Sequence, residues 1–137
     1  MSEVPSEART VPQMTTELEH APLQERSPGD SCFEKIYPFE SDLKLREEYT
    51  NFFGGLRIGK LLEDLDLVAG KVAYAHAQGW ERGLGIVTAA CDRIDLTGSL
   101  PSNSDLQLLA SVNWVGRSSM EVGIRISTRS ENDWKRV

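Results

Sequence analysis

Three carboxylates fall close together in one stretch of the chain, Glu63, Asp64 and Asp66, and they are the residues best suited to move a proton. Asp66 sits between Leu65 and the run Leu67-Val68-Ala69, at the border of an apolar stripe. Glu63, about one turn earlier, lies on the same side. Burying an isolated charge costs several kcal/mol, so Asp66 is either solvated or hydrogen-bonded, and spacing alone favours a solvated edge carboxylate on an acidic helix. Just upstream runs Gly54-Gly55-Leu56-Arg57-Ile58-Gly59. Backbone N–H groups at such a helix start lack intrahelical acceptors and can hold a carboxylate, a phosphate or a developing oxyanion. The same residues also suit an ordinary turn into a helix. A third constellation, Gly116-Arg117-Ser118-Ser119, offers backbone N–H groups, two hydroxyls and one cation, a set that fits a phosphate-bearing ligand or a plain hairpin loop with a solvated arginine. Ser118 and Ser119 are poor nucleophile candidates, because the only histidines are His20 and His76 and neither is placed to act as their base.

The elements that must position these groups follow from periodicity. Ile58, Leu61, Leu62, Leu65, Val68, Ala69, Val72 and Ala73 recur at three- and four-residue spacings, which predicts a helix of about five to six turns. Its acids lie towards the start, with Lys71 and His76 towards the end, as the helix dipole favours. Leu108, Ala110, Val112 and Trp114 alternate with polar residues, and so do Val122, Ile124 and Ile126. These are two half-buried strands joined as a hairpin through the Gly116 turn. Residues 86–96 are apolar on both faces and predict a third, central strand. A helix threaded before antiparallel strands gives an α+β class in which a sheet wraps one central helix. Residues 1–35 are rich in Pro, Ser, Thr and Glu without periodicity, the composition of a disordered leader, with the domain expected over 36–137. Aromatic content rises between Phe33 and Phe39, and residues 40–49 suit a short helix or strand.

With 137 residues the chain can bury one core, and 39% hydrophobic with 26% charged residues is ordinary for a globular domain. A net charge of −6 argues against nucleic acid as a partner, since phosphate-backbone affinity needs clustered Lys and Arg. Cys32 and Cys91 stand far apart with no CxxC neighbour, so neither a disulfide framework nor a metal site is expected. The longest apolar stretch is broken by Asp66 and Lys71, so no membrane span is expected. The first 25 residues carry five glutamates and resemble neither a secretory signal nor an import signal.

Three runs in order carry a resemblance. These are Asp66-Leu-Val-Ala-Gly70-Lys-Val-Ala-Tyr-Ala-His76, then Gly85-Ile-Val-Thr-Ala89 to Asp92-Arg-Ile-Asp95, then Trp114-Val-Gly-Arg-Ser-Ser-Met-Glu-Val122. Together they resemble the hotdog-fold acyl-CoA thioesterases. GGLRIGKLLEDLD makes the first hotdog of the mitochondrial double-hotdog acyl-coenzyme A thioesterase 9 subgroup the nearest likeness. The resemblance implies a sheet wrapped around the helix and hydrolysis of acyl-CoA to free acid and coenzyme A. No cofactor is implied beyond the coenzyme A of the substrate. Sites would be built where two hotdogs pair, in a homo-oligomer or with a second domain. It further implies Asp66 as the water-activating residue, with Glu63 or Asp64 as substitutes, and an oxyanion position near Gly55, Arg57 and Gly59. Coenzyme A contact would come from Gly116, Arg117, Ser118 and Ser119. Where some relatives carry Asn or His in the Gly-rich lead-in, this chain has Gly55 and Arg57, so a partner domain would supply the missing polar group. Family members continue past Trp134-Lys135-Arg136-Val137 into a last long strand. A chain truncated before that strand is therefore expected to leave an open sheet edge and an uncovered part of the helix. A noncatalytic half that binds acyl-CoA or a partner hotdog is the alternative; a dehydratase fits less well, for want of a helix histidine suited to the task. The resemblance implies mitochondria, otherwise the cytoplasm, while the leader carries no import signal.

Overall fold

The computed structural model describes residues 22, 24–131 and 133–137. The long helix forms where its periodicity places it. After a 3-10 turn at Pro28–Ser31 come strand β1 (Phe33–Tyr37), helix α1 (Leu43–Tyr49) and helix α2 (Ile58–Ala77), followed by β2 (Leu106–Val115), β3 (Met120–Ser130) and β4 (Asp133–Arg136). Asp42 caps α1 by accepting a hydrogen bond from the Leu45 N–H at 3.0 Å. At the other end of α2, Gln78 turns into the left-handed region, and the Gly79 N–H closes on the Tyr74 carbonyl at 2.8 Å. A side chain at Gly79 would strike the Tyr74 ring. Glycine is therefore required at that exit.

The four strands form one antiparallel sheet in the order β1-β2-β3-β4. β2 alternates as expected up to Val112: Leu106, Leu108, Ala110 and Val112 are buried and meet Leu61, Val68 and Val72 of α2 together with Tyr37, Phe39, Tyr49, Leu56 and Ile126 in one core, whereas Trp114, expected on the same face, lies past a register shift and is 59% exposed. β2 and β3 are joined by the tight turn at 116–119, closed by Gly116 N–H donating to the Ser119 carbonyl at 2.7 Å. The sheet covers only one face of α2. Ile58, Leu62 and Leu67, all on the expected or adjoining apolar stripe, are 41%, 42% and 71% exposed.

Two expectations change. Residues 86–96 run outside any strand with most side chains exposed, Val87 at 84%, instead of forming a central strand. A double-sided apolar run becomes a strand only if a neighbouring ladder satisfies its backbone. The nearby edge is β4, only four residues long; Gly98 lies against Val137, and Arg93 to Thr97 share a cleft with Arg136. The leader boundary also moves: Ser31 is buried and residues 33–35 already belong to β1, while residues 1–21 and 23 lie outside the described residues. The segment at Trp134 pairs with β3 as the short β4.

A buried polar cluster fastens the helix to the rest of the core. Asp64 accepts hydrogen bonds from the hydroxyls of Tyr37 on β1 and Tyr49 on α1, each at 2.5 Å, and lies 3.5 Å from the Lys35 ammonium. Its side chain is only 12% exposed. Burial pushes its pKa upwards, but the two hydroxyls and Lys35 together outweigh burial and hold the carboxyl below its usual 3.8. Burial, and then Asp64, push both phenols well above their ordinary value. A depressed folded pKa adds stability that is fully present above 3.8 and is lost as pH falls through the folded value. Asp64→Asn is therefore expected to lower Tm at pH 7 and to differ less from wild type at pH 3. Paired thermal melts followed by circular dichroism check this, and a gap independent of pH would exclude the ionic part of the clamp.

Candidate active site

The three carboxylates of α2 separate by direction. Asp64 turns into the tyrosine clamp, where its Oδ2 accepts from both hydroxyls and faces away from the open side of the helix. Glu63 and Asp66 stay exposed. Asp66 alone of these two is oriented by a second side chain: it accepts a hydrogen bond from the Thr88 hydroxyl at 2.6 Å, across from the extended segment 86–96. A step of 100° per residue puts Asp66 about 200° around the helix from Asp64. Anchoring one carboxylate inside thus turns the other out.

At the lead-in, residues 51–55 form a small hairpin. Asn51 N–H donates to the Gly55 carbonyl at 2.8 Å and Arg57 N–H to the Tyr49 carbonyl at 2.7 Å. The Asn51 side chain is the organiser: its Oδ1 accepts from the N–H groups of Phe53 at 2.9 Å and Gly55 at 3.0 Å, and its Nδ2 donates to the Leu56 carbonyl at 3.3 Å. Gly54 has φ +83, a conformation that favours glycine in this tight loop. Two of the expected oxyanion donors are consequently engaged. The Gly55 and Arg57 amides already have acceptors, whereas Gly59 stands in the first turn of α2, where the amides of Ile58, Gly59 and Lys60 have no intrahelical acceptor. Arg57, the N-cap, makes no side-chain cap; its guanidinium donates to the Thr50 carbonyl at 3.3 Å.

Arg117, Ser118 and Ser119 are exposed at the tip of the β2–β3 turn, with Gly116 beneath the Trp114 ring. This turn belongs to the opposite end of α2 from the lead-in: Trp114 and Val115 share a cleft with His76 in the last helical turn. A 20-residue helix spans about 30 Å. The Gly-rich lead-in and the Gly116 turn are therefore not parts of one pocket in a single chain. A cleft of about 690 Å³ lined by residues 93–97 and Arg136 contains none of the expected site residues. Among the described residues no group of three His, Cys, Asp or Glu side chains is placed to hold a metal ion, and no helix is long and apolar enough to cross a membrane.

No family model matches the chain. It is 42% identical over 107 residues to an acyl-coenzyme A thioesterase 4 of Humulus lupulus described as mitochondrial, an alignment covering 76% of this chain and 20% of that protein. It is 36% identical over 108 residues to the human mitochondrial acyl-coenzyme A thioesterase 9, covering 76% of this chain and 25% of that protein. The chain belongs to the hotdog-fold acyl-CoA thioesterase family. It spans about a quarter or less of the length of these two relatives. Among solved structures, the Staphylococcus aureus acyl-CoA hydrolase with butyryl coenzyme A and coenzyme A superposes at a TM-score of 0.67 with 26% identity, over 81% of this chain and 62% of that one. A hexameric acyl-CoA thioesterase without ligand gives 0.67 at 25%, over 83% and 67%. The Staphylococcus aureus hydrolase has also been solved with an aspartate, a threonine or an asparagine replaced by alanine.

In this hotdog chain, sequence reasoning missed Asn51 and Thr88. Asn51 could have been found as the asparagine just ahead of the Gly-Gly pair; Thr88 could not, because the strand reading gave it no reason to face Asp66. Asn51→Ala removes three neutral hydrogen bonds from the loop, each worth about 1 kcal/mol. The variant is expected to lower Tm and to speed hydrogen exchange at the Phe53 and Gly55 amides; unchanged exchange there would show that Asn51 does not organise the loop.

Proposed function

We propose that this hotdog contributes to an acyl-CoA thioesterase site that hydrolyses acyl-CoA to a free acid and coenzyme A. The observation that carries the reading is Asp66 on the open face of α2, oriented by Thr88 at 2.6 Å. Asp66 takes a proton from a water molecule as the water oxygen bonds to the thioester carbon. The C–S bond then breaks, and the proton passes to the departing sulfur. Negative charge on the carbonyl oxygen is met by unpaired backbone amides at the α2 start, Gly59 and its neighbours.

Asn51 stands fifteen residues ahead of Asp66. The asparagine and aspartate replaced in the Staphylococcus aureus variants are separated by the same interval. The Asn51 amide uses one Nδ2–H on Leu56 and keeps a second donor for water or a thioester oxygen. Asp66 lies eight residues past the α2 start, about 12 Å along the axis, while Asn51 is tied into its own loop before that start. A complete site thus takes Asn51 from one hotdog and Asp66 from another. The exposed Ile58, Leu62 and Leu67 and the open segment 86–96 supply apolar surface for that pairing, whether with a second copy or a second domain. The relatives' names favour mitochondria, although one Humulus lupulus relative, 39% identical, is described as chloroplastic.

A second reading, binding of acyl-CoA without turnover, is favoured by the engaged Gly55 and Arg57 amides and by the unpaired segment carrying Thr88. Thiol release from a panel of acyl-CoAs separates the two. Asp66→Asn is expected to lower turnover by about 100-fold or more and to leave coenzyme A affinity unchanged. Retained turnover in that variant removes Asp66 from the mechanism, and coenzyme A binding with no thiol release by the wild type selects the second reading.

A further inference from the structure

The segment before β1 is strapped onto the C-terminal end of α2. Arg26 donates from its guanidinium to the Ala75 carbonyl at 2.9 Å, and the buried Ser31 hydroxyl pairs with His76 Nδ1 at 2.8 Å. The Arg82 guanidinium, in the loop that leaves α2, donates to the Pro22 carbonyl at 3.5 Å. Apart from the 3-10 turn at Pro28–Ser31, the described residues of the strap form no helix or strand. Its shape depends instead on a brace between Ser27 and Asp30. The Asp30 carboxylate accepts from the Ser27 N–H at 2.6 Å and from the Ser27 hydroxyl at 3.0 Å. In return the Asp30 N–H donates to the Ser27 carbonyl at 3.1 Å.

Ser27 is the only serine or threonine of the chain that is followed by proline. It is exposed, and its backbone is extended at φ −91 and ψ 162, the form in which a protein kinase reads a peptide substrate. We infer that Ser27 is a phosphorylation site for a proline-directed serine kinase, and that phosphate there unfastens the strap from α2. The γ-phosphoryl group of ATP passes to Ser27 Oγ: an O–P bond forms, the bond from the γ-phosphorus to the bridging oxygen breaks, and ADP leaves. The hydroxyl proton goes to the base of the kinase. The new group carries about −1.5 to −2 charges at pH 7, on an oxygen that lies 3.0 Å from the Asp30 carboxylate. Asp30 is itself ionised there, because the Ser27 amide and hydroxyl hold its carboxyl below the usual 3.8. The Oγ–H donor is lost and two anions are left to repel each other, so the brace breaks. Arg26, the neighbouring residue, gains a phosphate that is a stronger acceptor than the Ala75 carbonyl. Arg26 and Pro28 also wall the cleft that His76 shares with Trp114, so release of the strap opens that cleft.

The test treats the whole chain and its Ser27→Ala variant with ATP and purified cyclin-dependent and mitogen-activated protein kinases, and maps phosphate by mass spectrometry. Phosphate is expected on Ser27 and on no residue of the strap in the variant. Hydrogen exchange then compares phosphorylated with untreated chains. The amides of Asp30 and Cys32, which donate to the Ser27 and Gly29 carbonyls, are expected to exchange about tenfold faster after phosphorylation. In an Asp30→Asn background the repulsion is absent, and phosphorylation is expected to change the same rates by less than about twofold. A wild-type chain that takes no phosphate on Ser27 overturns the site. Unchanged or slower exchange in the phosphorylated chain, or equal acceleration in the Asp30→Asn background, overturns the release.

Discussion

The arrangement depends on a carboxylate held inside the fold. Asp64 sits at the edge of the α2 contact stripe, where a charge without partners would cost several kcal/mol. Two tyrosine hydroxyls and a lysine, from β1 and α1, meet it there. Because the partners come from separate elements, the clamp fixes the rotation of α2 as well as its distance from the sheet. Rotation is what matters for chemistry. With Asp64 turned inward, Asp66 is turned outward, beside Thr88.

A helix fixed in this way organises two distant ends. Its start is governed by the Asn51 loop, which engages the nearer amides and leaves those of the first turn open. Its finish carries the strap at residues 26–31, the cleft beside Trp114 and the turn that follows. The middle, where Asp66 stands, is exposed along with Leu62 and Leu67. In the proposed pairing such ends and middles come together between hotdogs; within the single chain they stand apart along α2.

Legibility in the sequence tracked how local the cause was. The α2 helix and the β2–β3 hairpin follow from periodicity within each segment and a turn between neighbours, and they stand where expected. Residues 86–96 failed because a strand needs a partner, and no property of the segment reveals how long the neighbouring edge is. Asp66 was legible as the acid at the stripe border, with Asp64 read as a substitute for it beside Glu63. Only the positions of Tyr37 and Tyr49, 27 and 15 residues away, tell the two apart. Asn51 carries no periodicity or charge signal of its own, although its side chain holds the loop that the adjacent glycines permit.

The most direct test of a site shared between hotdogs is complementation. Chains carrying Asn51→Ala and chains carrying Asp66→Asn would be mixed, unfolded and refolded together, and assayed for thiol release from acyl-CoA. Random pairing gives half of the dimers one site with both residues intact, so the account predicts recovery to about a quarter of wild-type turnover. Activity no greater than the sum of the two variants alone would contradict it.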